Sequence, residues 1–398
     1  MRSVDEESDL EFWLSKIAST HFKSWDLGLE RVKAVGRELG VLRPAPVVLL
    51  VGGTNGKGST CEYLSEFGIR AGLKVGKSTS PHIFRFNERI QVNNTPLPDE
   101  QIVNALKLVE EGRGTISLTY FEFSALAAMV CFLSEQVDVA ILEVGLGGRL
   151  DAMNIVEPEL SIITSIAIDH EAWLGRTRDE IGREKAGIMR AGTVCLLGDP
   201  DPPRTIIDYA EQLGTPLFRI GKDFELFDGP VTLSRESFSV AHEAARVLDW
   251  KIENGIDIAR NTTLLGRNTW LHKKCPILLD IAHNPSAIAR LNGYISASRP
   301  VGKIHAIFGI YSDKDVQGVI DGIRSVVDFW HLVDSEDSRI LEASKLFAFF
   351  TIAERSRIRT YDSIELSFAA VERKVSEEDL IVVFGSFFAV SAALQAWN

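Results

Sequence analysis

An α/β fold in two domains is predicted by three observations. Short apolar runs of strand length alternate with helical spacing along most of the 398 residues. One such run opens directly into a glycine-rich turn followed by a helical stretch. A second alternating series begins near Pro276, after a stretch in which the pattern weakens. Alternation of this kind signals parallel strands joined by crossover helices, and the length suits two ordinary domains. We expect a domain over 1–265, a linker over 266–275 and a smaller Rossmann-like α/β domain over 276–398.

In the first domain Pro46–Val51, Lys74–Ser78, Val137–Val144, Leu160–Ile168 and Thr193–Leu197 read as buried strands, being short and rich in apolar or β-branched residues. Asp99–Glu111 and Phe121–Glu135 carry helical spacing. The pattern fades from Phe218 to Phe238, and Ala241–Trp250 is again helical. In the second domain the expected strands are Ile277–Ile281, Ile304–Ile310, Phe329–Val333 and Leu380–Phe384. The helices between them are Ser286–Ser298, Asp315–Val326, Leu341–Phe350 and Ser363–Val375.

Composition narrows the function classes. The formal net charge of −12 disfavours a general binder of nucleic acid or anionic membrane. Cys61, Cys131, Cys195 and Cys275 are widely spaced, so neither a zinc site nor a disulfide framework is signalled. The acidic stretch Met1–Glu11 has no apolar segment, and no run approaches a membrane span. A cytoplasmic protein is the expectation.

The chemistry starts at Gly52-Gly53-Thr54-Asn55-Gly56-Lys57-Gly58-Ser59-Thr60. Glycines let backbone N–H groups approach phosphate oxygens, a helix N-terminus adds its positive end, and Lys57 supplies a point charge. This P-loop-type turn departs from the common pattern in two ways. Val51 stands where the first glycine falls, and Gly58 follows the lysine. Glu143 stands at the end of the strand-like Val137–Val144, just before Gly145, Gly147 and Gly148, where α/β sheets bind ligands, and its carboxylate suits Mg²⁺. Asp169-His170 follow the next strand; a metal or phosphate role for His170 competes evenly with an ordinary packed histidine. Thr79-Ser80-Pro81-His82 follows Lys74–Ser78 and can turn hydroxyls to the same end. Lys185, within Gly182–Ile188, taken alone reads as part of a solvated helical face. In the second domain Asp280 can bind a ribose hydroxyl, and Asn284 can either contact nucleotide or cap the following helix. Arg267, in the expected linker, can reach phosphate if the domains close.

Together these segments resemble the folylpolyglutamate synthase family of the Mur-ligase superfamily, and within it the bacterial bifunctional members. The matching residues are Asp26–Val32, Gly53–Ser59, Ser80-Pro81-His82, Ser117–Glu122, Glu143–Asn154, Thr164–His170, Gly182–Ile188, Asp280–Pro285, Asp313-Lys314-Asp315 and Gly385-Ser386-Phe387. The resemblance implies a Mur-ligase-like fold and an ATP- and Mg²⁺-dependent ligase. Such an enzyme joins L-glutamate to dihydropteroate and to tetrahydrofolate derivatives through an acyl phosphate. It further implies a monomer with no nucleic-acid or membrane partner. Residue by residue, it places Thr54, Asn55, Gly56, Lys57, Gly58 and Ser59 on ATP phosphates, and Ser80, Glu143 and His170 on the metal. Lys185 matches a lysine carried as a carbamate, so Lys57, His170 and Lys185 form the expected catalytic set. Arg267, Asp280 and Asn284 match nucleotide contacts, and Leu27, Gly28, Leu29, Arg31, Phe121, Asp151 and Asn154 match the pterin subsite.

Four features depart from the family pattern: Asn268 after Arg267, Ala241-His242 in place of Pro-Asn, a short 223–239 segment, and Phe388 where histidine is common. They keep open a nucleotide- or folate-binding homologue without turnover. The enzymatic alternative is a folylpolyglutamate synthase without dihydropteroate activity, against which Leu27–Arg31 and Ser117–Glu122 favour the bifunctional form.

Overall fold

The computed structural model describes residues 9–21, 26–252, 254–298 and 301–397, so residues 1–8 of the acidic stretch Met1–Glu11 lie outside it. It divides into two compact units, Met1–Thr262 and Thr263–Asn398. The strands of the first unit are β1 (Val47–Gly52), β2 (Val75–Ser78), β3 (Ile90–Val92), β4 (Thr95–Pro96), β5 (Val139–Glu143), β6 (Leu160–Ile163), β7 (Cys195–Leu197) and β8 (Leu217–Arg219). They form one sheet in the order β4-β3-β2-β5-β1-β6-β7-β8. From β2 to β8 every pairing is parallel, and β3 and β4 add an antiparallel edge. β1, β5 and β6 are apolar on both faces because helices cover both, as parallel sheets require. β1 lies between β5 and β6, and the chain leaves it to build first one side of the sheet and then the other. Its carboxyl end is therefore a topological switch point, the crevice where such sheets take ligands.

Most expected strands form, with trimmed ends. Leu160–Ile168 is the instructive difference. Pairing stops at Ile163, and the remaining apolar residues line a loop. That loop is held by hydrogen bonds to the glycine-rich turn rather than by a sheet neighbour. The helix expected from Ala241 instead starts at Arg235, capped by Ser234, whose hydroxyl accepts from Ser237 N.

The second unit holds β9 (Thr269–His272), β10 (Pro276–Leu279), β11 (Ile304–Phe308), β12 (Phe329–Val333), β13 (Ile358–Tyr361) and β14 (Leu380–Phe384) in the order β13-β12-β11-β14-β10-β9. All pairings are parallel except β9 with β10. β9 falls inside the stretch expected to be a linker. Its backbone pairs with β10 while Thr269 and Leu271 turn to one face and the more exposed Trp270 and His272 to the other. The helix expected over Leu341–Phe350 is broken: one α-turn, Ala343–Leu346, passes into a 3-10 turn, Phe347–Phe349. Each unit has its own apolar core, around Leu50, Leu142 and Ile163 in the first and around Leu278, Phe308, Val382 and Phe384 in the second.

Candidate functional site

The glycine-rich turn leaves β1 and enters the helix Lys57–Arg70. Gly53 has φ +140, and a Cβ there would sit 1.9 Å from Thr164 Oγ1. Only glycine permits this close pass. Thr54 and Asn55 are then clamped to the loop after β6. Thr54 N donates to Ser165 O (2.7 Å) and Thr54 Oγ1 to Ala167 O (3.1 Å), while Asn55 O accepts from Thr164 Oγ1 (2.7 Å). Gly56, with φ +87, is the left-handed residue that begins the helix, followed by Lys57, Gly58 and a buried Ser59. Lys57 Nζ folds back onto Gly53 O (3.1 Å) and Thr54 O (3.3 Å), so its charge hangs over the turn.

The ends of β2 and β5, the loop after β6 and one helix supply the rest. Glu143, the last residue of β5, is 5% exposed, and its Oε2 accepts from Ser80 N at 2.9 Å. His170 has the left-handed φ of +53 and follows Asp169, whose Oδ1 accepts from His170 N. Lys185 corrects the expectation of a solvated face, being 3% exposed on the helix Arg178–Ala186. Its ammonium makes no hydrogen bond or ion pair among the described residues. Burial first, then the charge of Lys57, lowers its pKa to about 7, against the pull of Asp169 and Asp151. A buried lysine without a paired anion is costly and prone to lose its proton. Lys57, Lys185, Asp169 and Asp151 thus share one electrostatic environment, and Glu143 and Lys57 both act on the buried thiol of Cys61.

The donor set Glu143, Ser80 and His170 fits a hard cation that takes few protein ligands and completes its shell with phosphate and water. No group of three or more His, Cys, Asp or Glu poised for a metal occurs among the described residues, so a closed structural metal site is not what this geometry offers.

The pterin-matched residues fall into two sets. Arg31 donates to Asp26 Oδ2 (2.5 Å) and to Glu122 Oε1 (3.1 Å), tying Leu27, Gly28 and Leu29 to the start of the helix Tyr120–Ser134. Gly28 faces open space. Phe121 lies against Gly145, where a Cβ would meet its ring at 2.5 Å. Asp151 and Asn154 are committed inside the fold. Asp151 accepts from Leu146 N and Met153 N, and burial raises its pKa to about 6. Asn154 donates to Arg149 O and Gly187 O and accepts from Arg190.

In the second unit Asp280 accepts from Asn268 N (3.0 Å) and Ala282 N (2.8 Å). Asn284 Oδ1 accepts from Ala287 N at 2.9 Å, so the capping role is realised. The Arg267 guanidinium stands 5.5 Å over the Phe387 ring. Asn268 has φ +44, a conformation asparagine tolerates better than a bulky aromatic, which accounts for one departure from the family pattern. His242 stacks on Phe238, with centroids 5.9 Å apart. Sequence reasoning named Asp169 beside His170 without giving it a role and passed over Arg89, both charged beside the site; the signal of Arg89 was its position just before β3.

A parallel sheet with a phosphate-type turn, carried in one chain with a second α/β unit, defines the Mur ligase class. The family model of the Mur ligase glutamate ligase domain matches residues 266–387. The dihydrofolate synthase/folylpolyglutamate synthase of Escherichia coli K12 is 38% identical over 416 residues, covering 99% of this chain and 97% of that protein. The structure of E. coli FolC in complex with DHPP and ADP superposes with a TM-score of 0.93 over 98% of this chain and 97% of that one, at 38% identity. The Yersinia pestis bifunctional folylpolyglutamate synthase/dihydrofolate synthase complexed with AMPPNP and Mn ion gives 0.92 at 35% identity, covering 98% of each chain. This chain belongs to the dihydrofolate synthase/folylpolyglutamate synthase family.

Proposed function

We propose that this protein is an ATP- and Mg²⁺-dependent ligase that joins L-glutamate to dihydropteroate and to reduced folates. The observation that carries the reading is the gathering of the glycine turn and Glu143 at the carboxyl ends of adjacent strands, with the buried Lys185 of the helix Arg178–Ala186 close enough to feel the charge of Lys57. In the reaction the substrate carboxylate attacks the γ-phosphorus of ATP and ADP leaves, giving an acyl phosphate. The amine of glutamate then attacks the acyl carbon, and phosphate departs from the tetrahedral intermediate. The protein's task is to hold the reactants in line and to neutralise the phosphoryl charge.

Backbone N–H groups of Gly56, Lys57, Gly58 and Ser59 and the Lys57 ammonium hold the ATP phosphates, while Thr54 and Asn55, whose N–H groups donate to Ser165, set the shape of the turn. Glu143, Ser80 and His170 hold Mg²⁺, which when bound offsets phosphate charge. Lys185 acts as a carbamate. Its lowered pKa leaves much of the amine neutral near pH 7, the form that adds CO₂, and the product is an anion facing Lys57. Leu27, Gly28, Leu29, Arg31 and Phe121 bound the pterin subsite, while Asp151 and Asn154 shape it through the loops they pin. Arg267, Asp280 and Asn284 serve the nucleotide, Asp280 and Asn284 by fixing the backbone between β10 and the next helix. The protein works as a cytoplasmic monomer, in keeping with its four buried free cysteines and with the absence of a helix long and apolar enough to cross a membrane among the described residues.

The test is phosphate release by the purified protein. Release is expected only with ATP, a folate or dihydropteroate, and glutamate all present. Release that ignores glutamate across a folate panel would overturn the ligase reading. Turnover with tetrahydrofolate but none with dihydropteroate would reduce it to the monofunctional form.

A further inference from the structure

Arg89 is a charged group that the reading above does not use. It ends the 3-10 turn Phe86–Arg89, and its carbonyl accepts from Thr79 N at 3.1 Å, which roots it one residue from Ser80. Its Nε donates to His82 Nδ1 at 2.8 Å. For that bond Nδ1 must be unprotonated. With Nδ1 accepting, the ring carries its proton on Nε2.

The guanidinium is partly buried against two rings, with its carbon 5.6 Å from the Phe86 centroid and 5.7 Å from that of Tyr120. Burial opposes its charge, while Tyr120, Glu143 and Glu88 favour it. Neither Nη group donates a hydrogen bond among the described residues. Withdrawing a guanidinium from water is unfavourable unless its donors are engaged, and the planar fork matches a carboxylate in particular.

Its place gives the fork a task. Its ring contact Tyr120 lies between Thr119 and Phe121 at the start of the helix matched to the pterin subsite. Its charge is also favoured by Glu143, matched to the metal. The substrate carboxylate that becomes an acyl phosphate has to lie between pterin and phosphate, and glutamate, which attacks it, brings carboxylates of its own.

We propose that Arg89 binds a substrate carboxylate in the space between the pterin subsite and Glu143, with His82 fixing the orientation of the fork. The proposal rests on the ligase reading. The carboxylate belongs either to the pterin substrate or to glutamate, and one set of measurements separates them. Equilibrium binding of dihydropteroate, and of its methyl ester, is measured on the full chain with MgADP present, for the parent and for Arg89→Ala. The Michaelis constants for dihydropteroate and glutamate are measured alongside.

If the pterin substrate's carboxylate is the ligand, Arg89→Ala weakens the acid by about ten- to a hundredfold, the range for hydrogen bonds to a charged group, and leaves the ester unchanged. If glutamate's is the ligand, binding of acid and ester is unchanged and only the Michaelis constant for glutamate rises. Equal losses for acid and ester would show that Arg89 merely supports the fold of the pocket, and no change in any of these quantities would show that it binds nothing; either result overturns the proposal. Should Arg89→Ala fail to fold by circular dichroism, Arg89→Lys, which keeps the charge and loses the fork, is read by the same criteria. A parent that binds dihydropteroate but releases no phosphate fails the ligase reading, and the acid–ester comparison still decides the role of Arg89.

Discussion

At the scale of single residues, Lys57, Glu143 and Lys185 make separable predictions. Lys57→Ala removes the charge over the glycine turn, and Glu143→Ala removes the buried carboxylate that Ser80 N binds. Each variant should fold but lose turnover by at least on the order of 10²–10³, because an interaction aimed at developing charge is lost; Lys57→Ala should melt near the parent temperature, and Glu143→Ala somewhat below it because Ser80 N loses its acceptor. Near-parental turnover in either would show the phosphate site to be misassigned. Ser80→Ala should be milder, since water can replace a neutral ligand. Lys185→Ala should lose most activity and regain part of it with added short carboxylates, whereas Lys185→Arg keeps bulk and positive charge and should not be rescued. The pH dependence has a definite sign. With the folded pKa depressed to about 7, the free amine is mostly protonated below pH 7 and mostly neutral above it. After CO₂ is stripped from the protein, bicarbonate should restore activity faster at pH 8 than at pH 6. Rates that do not differ would argue against the carbamate. None of this was legible from Gly182–Ile188 alone, because a run of charges looks the same whether a helix turns its lysine outward or inward.

At the scale of elements, the glycine turn depends on two strands at once. Gly53→Ala forces a Cβ onto Thr164 and holds alanine at a φ it avoids. It should cost on the order of 1–3 kcal/mol in denaturant unfolding and abolish nucleotide binding. Adding Thr164→Ala relieves the clash but not the dihedral strain, so recovery should be partial. Full recovery would mean that the backbone geometry is relaxed. In the second sheet His305 on β11 and His331 on β12 stack, with Nδ1 and Nε2 3.2 Å apart, and His331 reaches the Tyr361 hydroxyl. Burial first, then His305, lowers the His331 pKa to about 3. Because the folded value lies below the ordinary one of about 6.5, the unfolded chain binds more protons between these limits. The stability contribution is full above pH 6.5 and is lost as pH falls toward 3, and His331→Phe should flatten that loss. An unchanged acid-unfolding profile would remove the pair from the account. The buried parallel strands were readable because both faces are apolar. The strands at or beside the sheet edges, β3, β4, β8, β9 and β13, were not, being short and partly exposed and so lacking the run of apolar residues that marks the central strands.

For the whole molecule, a ligand that binds only the folded chain stabilises it by mass action. MgADP at a hundredfold excess over its dissociation constant adds roughly 2.7 kcal/mol and should raise the melting temperature by a few degrees. The shift should vanish in Lys57→Ala, and a shift that persists there would place the nucleotide elsewhere. By itself the sequence determined the α/β class, the glycine turn with its lysine, the strand-end carboxylate and the family, since these depend on local pattern and on spacing along the chain. Only the tertiary structure decided that Lys185 is buried without a paired anion, that Asp151 and Asn154 spend their hydrogen bonds within the fold, that β9 pairs in the stretch expected as linker, and that Arg89 meets the Tyr120 ring and the charge of Glu143 with its fork unengaged. Burial and pairing are properties of what packs against a residue, and spacing along the chain does not show whether that neighbour is solvent or the rest of the fold.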